Sequence, residues 1–273
     1  MEWQRDLAGL GLAGIGRETS RVVRVILLNF ANVGPALLSA LLFAHAAVSS
    51  RIASDHDYAT SLVAYSAVLG LLKIAVLGLF LLCTAAYALA VASLYRTGGD
   101  LLAADRILKE DFPVAPLARL LVTFLLVAAA PFFAVSTALS VEDRIVLPLR
   151  LLGWASAAYV ATVCQMACVV SVLEDTKLFG AVRRSRELLA GKFWAVVCVL
   201  VTLDGCIIAV LKAFTALVVD NVLGLRLAFQ VAAVVTAFVA LWGVLVVTLV
   251  AQPVIYMVCM SHHLEVVDKA HHD

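Results

Sequence analysis

Six apolar stretches, at residues 25–48, 62–94, 116–140, 145–173, 193–219 and 226–260, divide this 273-residue chain. Crossing a hydrocarbon layer of ~30 Å at ~1.5 Å per residue takes about 20 residues of helix, and each stretch is longer than that. Inside hydrocarbon a peptide group has no water to bond, so an apolar run of this length closes its hydrogen bonds within itself, as a helix does. Composition agrees: 64% of the residues are hydrophobic and mean hydropathy is +1.05. The expectation is an all-α, polytopic membrane bundle of six spans. Residues 1–261 form one membrane domain, followed by a short cytosolic tail at 262–273.

Cation placement orients the bundle. With the N-terminus in the cytosol, fourteen Lys and Arg residues fall in cytosolic segments. Four, Arg51, Arg144, Arg150 and Arg226, fall on the opposite side. Short loops with this asymmetry obey the positive-inside rule, so both termini are expected in the cytosol. Lys73 and Lys212 lie inside apolar stretches but near their outer ends, where a long amine side chain reaches the interface. The six cysteines lie in or beside spans and none falls in an expected external loop, so no disulfide framework is implied.

The segments preceding spans 1, 3 and 5 carry helical periodicity of their own. Leu178, Val182, Ser185 and Leu189 share one helix face, with Lys177, Arg183, Arg184, Arg186 and Glu187 around the rest. Leu101, Ala104, Leu108 and Phe112 repeat the pattern before span 3, and Leu12, Ile15 and Val22 do so among Arg17, Glu18, Arg21 and Arg24. Such amphipathic helices either lie in the headgroup layer or pack on the bundle as connectors. The chain thus reads as one element used three times: a surface helix, an outward span, an external turn and a returning span. Lys177, Arg183, Arg184, Arg186 and Lys192 form a candidate contact for anionic lipid, or a cluster that fixes topology.

Candidate chemistry is sparse. Asp204 lies 12 residues beyond Lys192, about 18 Å along a helix and near mid-membrane. A carboxylate there costs on the order of 3 kcal/mol unless it is protonated or partnered, and Gln165 and Gln252 are the candidate partners. The cluster serves either as a proton or cation site of a small transporter, or as a neutral hydrogen-bonded acid that joins helices. His262, His263, His271 and His272 lack a ligand frame for zinc, and Cys164 with Cys168 reads as close helix packing. No metallopeptidase, nucleophile-elbow or phosphate-loop motif occurs. The chain is therefore expected to be non-enzymatic, with no cofactor and no metal. Its partners are the lipid bilayer, anionic lipid and other helices in a homo- or hetero-oligomer, with no nucleic acid.

Four strings carry a resemblance: GIGRETSRVVRVILLNFANVGPALLSALLFAHAAVSS (14–50), AVASLY (90–95), VVSVLEDTKLFGAVRRSRELLAGKFW (169–194) and VIYMVCMSHHLEVVDK (254–269). The third is the most specific, through Leu173, Glu174, Ala181, Ser185, Leu188, Gly191, Lys192 and Trp194. Together they resemble an uncharacterised family of six-span transmembrane proteins of land plants. More remotely, they are similar to the membrane region fused to some bacterial glycerophosphodiester phosphodiesterases. The resemblance implies six spans with surface helices between pairs, and it carries over no catalytic residue.

If Asp204 is a neutral structural acid, Asp204→Asn leaves expression and the size-exclusion profile in mild detergent unchanged. Collapse of assembly would refute a dispensable carboxylate.

Overall fold

The computed structural model describes residues 9–29, 33–54, 62–97, 147–174, 176, 179–224 and 226–272. Every regular element among them is helical: α1 (Leu12–Asn29), α2 (Val33–Ser54), α3 (Leu62–Arg96), α4 (Leu147–Leu173), α5 (Phe179–Leu189), α6 (Phe193–Phe214) and α7 (Leu227–His272). A π-helical turn, Thr215–Val219, closes α6. The surface helix expected at 101–112 and the third span at 116–140 lie outside the described residues, as does Lys177.

Four helical stretches are long and apolar enough to cross a membrane: Val33–Arg51, Ala67–Arg96, Phe193–Val219 and Leu227–Val266. A shorter apolar stretch, Ala158–Leu173, lies in α4. The first span begins later than its hydropathy suggests. Residues 25–29 belong to α1, whose inward face continues through Ile15, Thr19, Val22 and Ile26. Pro35 explains the new start, because a residue without N–H loses nothing in a helix's first turn but breaks a bond in its interior. At the other end, the expected tail is the last turns of α7, which runs through Pro253 to His272.

The chain divides into two compact units. One comprises Met1–Val25, Thr84–Val201 and Leu249–Asp273. Within it no described residue is exposed over 84–95, 160–174 or 249–263, so α3, α4 and α7 are covered on all sides there. A helix apolar all round is one that needs such cover. Buried hydroxyls in this unit bond back to their own helices: Ser93 to Ala90 O at 2.8 Å, Ser171 to Cys168 O at 2.8 Å and Ser261 to Met257 O at 2.8 Å. α5 packs on α4 through Ala181, Ser185, Leu188 and Leu189. That face is turned from the expected one, with Val182 half-buried and Phe179 78% exposed. The connector reading of this helix therefore describes its inward face: protein, not headgroups, covers it.

The second unit comprises Ile26–Cys83 and Thr202–Thr248. Its core joins Leu38 and Phe43 to Phe214, Leu241 and Leu245. The Phe43 and Phe214 rings meet at a centroid distance of 4.2 Å, tilted by 43°. Beyond the π turn, Asn221 (φ 43°) and Gly224 (φ 59°) reverse the chain, and Ser50 Oγ donates to Asp220 Oδ1 at 2.7 Å.

Gly191 takes φ 97°, and a Cβ there would stand 3.1 Å from His262 Cε1. Gly224 is also left-handed but has open space around its missing Cβ. Gly224→Ala is thus expected to cost about 1 kcal/mol from backbone strain alone, and Gly191→Ala more, through strain plus the His262 contact. Thermal melts of both variants in one detergent check the order.

Candidate functional site

The densest polar cluster lies where α4 ends. Glu174 closes that helix, its N–H donating to Val170 O at 2.8 Å, and Thr176 N–H then donates to Glu174 O at 2.7 Å. This turn aims the carboxylate at two neighbours. Tyr256 of α7 donates its hydroxyl to Glu174 Oε1 at 2.8 Å, and Arg184 of α5 places Nε 3.4 Å from Oε2. The Arg184 and Glu174 side chains are 26% and 21% exposed, which screens the pair only in part. The rest of the guanidinium is used as well. Nη1 lies 3.4 Å from His263 Nε2 and 3.7 Å from Glu187 Oε2, while Nη2 donates to Met260 Sδ at 3.7 Å. One arginine thus joins α4, α5 and α7.

A related arrangement joins α1 to α3. Tyr95 donates to Glu18 Oε1 at 2.9 Å, and Arg21 Nη1 lies 3.6 Å from the same oxygen. In both cases a glutamate ahead of an outgoing helix is held by a tyrosine near the end of the returning one. Partners are 77 residues apart in the first pair and 82 in the second. Sequence reasoning placed neither tyrosine in a site. The available signal was a tyrosine near the end of each returning span, matched by a glutamate one span pair earlier.

The five cations expected at lipid separate by environment. Arg184 faces protein as described. Lys192 does too: its Nζ donates to Leu10 O at 2.6 Å. Burial pushes the Lys192 ammonium down from its ordinary value, while Cys259 and Glu265 oppose that shift. Arg183 and Arg186 remain exposed, Arg183 pairing with Glu187 at 3.1 Å. Lys177 is outside the described residues.

These two arginines border a cavity of about 710 Å³ between α4, α5 and the start of α6. Tyr159, Val163, Val182, Leu189 and Phe193 give it an apolar lining, and Glu187 adds a carboxylate. The Tyr159 and Phe193 rings lie 5.4 Å apart, and Trp194 stands edge-on to Phe193 at 5.5 Å.

The intramembrane cluster divides between the two units. Asp204 is half-buried on α6 in the second. Gln165 and Gln252 belong to the first, where Gln252 is 1% exposed. Neither amide atom of Gln252 has a hydrogen-bond partner among the described residues. His262 lies over Gly191 and His263 against Arg184, so both histidines act in packing. Among the described residues no three His, Cys, Asp or Glu side chains converge as metal ligands.

Residues 55–272 match the family described as Domain of unknown function (DUF8558), and the chain belongs to that family. No curated protein and no solved structure matches it.

Removing the Glu174 carboxylate strands the Arg184 cation in a half-buried place. Glu174→Ala should cost about 1–3 kcal/mol, more than Tyr256→Phe, which removes one charge-assisted hydrogen bond. The double variant should lose less than the sum, and a double-mutant cycle on melting stability checks that coupling.

Proposed function

We propose that this is a six-span integral membrane protein with both termini in the cytosol, acting without catalysis to organise a membrane assembly or its lipid surroundings. The observation that carries the reading is α6. Phe193–Val219 is among the most apolar stretches of the chain, yet only 11% of its most apolar window is buried. Val201 and Ile208 are 43% and 56% exposed on it. An apolar helix with that much surface uncovered needs lipid or another protein's helix against it.

The polar groups support a contact-making role. Glu174, Arg184, Tyr256 and His263 engage one another, so the cluster ties helices together and leaves no activated nucleophile or base. The two Glu–Tyr pairs support the repeated unit of surface helix and span pair, and with it the six-span count. The pattern from Leu173 to Trp194 supports a place among the six-span membrane proteins of land plants.

Topology is tested by labelling single cysteines in a thiol-free variant within sealed vesicles. Ala190→Cys is expected to react with an impermeant reagent from the cytosolic side, and Val222→Cys, at a 72% exposed position, from the other. Labelling of both from one side would overturn the orientation of α6.

A further inference from the structure

We propose that the cavity between α4, α5 and α6 holds an anionic glycerophospholipid. Its phosphodiester lies against Arg183 and Arg186, and one acyl chain lies over Tyr159, Val163 and Phe193. The inference rests on the reading that α6 crosses the membrane, and it adds a ligand class and a binding geometry to it.

Depth is the first argument. Phe193 is both a wall of the cavity and the first residue of the apolar stretch Phe193–Val219. The cavity therefore opens where hydrocarbon gives way to headgroups. Trp194 and Phe179 are 77% and 78% exposed beside it, and amphipathic or aromatic rings concentrate at that level.

The lining is the second argument. Tyr159, Val163 and Phe193 make an apolar floor, and the cations stand at the edge on α5. A soluble anion has no use for that floor, and a neutral lipid has none for the arginines. An amphiphile with a phosphate uses both. Arg183 and Arg186 are three positions apart and so on neighbouring parts of one helix face. Guanidinium also matches phosphate oxygens in a planar, two-pronged geometry. A volume of about 710 Å³ is ample for a headgroup and the first part of a chain.

Glu187 is the group that opposes an anion. Its carboxylate is held by Arg183 at 3.1 Å and faces Arg184 at 3.7 Å. It enters the cavity neutralised, leaving Arg186 without an ion pair among the described residues.

The test uses the full chain in phosphatidylcholine micelles, titrated with phosphatidylglycerol and followed by native mass spectrometry. Phosphatidylglycerol is expected to bind about tenfold more tightly than phosphatidylcholine, the scale set by two interfacial charges. Arg183→Gln with Arg186→Gln should abolish that preference. Val182→Trp, which fills the cavity and keeps both arginines, should weaken binding as well. Ala190→Trp replaces it if a melt shows that Val182→Trp does not fold. Glycerol 3-phosphate, a headgroup without chains, should not compete. Equal binding of the two lipids, wild-type binding by the cavity-filling variant, or competition by glycerol 3-phosphate would each overturn the proposal. A chain that needs detergent but shows no lipid preference refutes this site alone. A chain that stays monodisperse without any amphiphile refutes the membrane reading beneath it.

Discussion

Hydrocarbon gives a peptide N–H or C=O nothing to bond, and each of those groups left bare costs several kcal/mol. The described elements meet this constraint locally. Apolar helices satisfy their own backbones, and buried Ser93, Thr162, Ser171 and Thr248 donate to carbonyls of the helix that carries them. Side-chain bonds between helices are then reserved for a few places. Those places, at Glu18 and Glu174, are where specific partners are chosen.

The charged groups follow from the same solvent logic. A half-buried carboxylate is tolerable when its oxygens are used, and Glu174 has a phenol on one and a guanidinium near the other. Arg184 in turn offers its remaining donors to His263, Met260 and Glu187. Charge is thereby removed from the protein's interior side of α5 and left on the opposite side, at Arg183 and Arg186. One short helix has two electrostatic characters.

Much of the fold was legible because apolar run length translates directly into helix length. α4 ends at Leu173 and α6 starts at Phe193, both at the limits their hydropathy gives. Where two kinds of helix share one apolar run, hydropathy is silent. Residues 25–29 are apolar enough for a span but complete the inward face of α1, and only Pro35 marks the new start. The site was less legible. Charge identified five cations ahead of α6, but which of them turn inward depends on tertiary partners: Leu10 O for Lys192 and Glu174 for Arg184. The rotation of α5 was equally invisible, since Ala181 and Val182 are both apolar and packing on α4 selects Ala181.

Both Glu–Tyr bonds run from ahead of a departing helix to the far end of the helix that comes back. Each therefore encloses a whole hairpin, and neither needs a residue from any other hairpin to form. Chains enter a bilayer progressively during synthesis, so a bond of this kind becomes available once its own return leg has been made. Membrane insertion of this protein is then modular: each pair of legs can be fastened at its base before the next pair arrives.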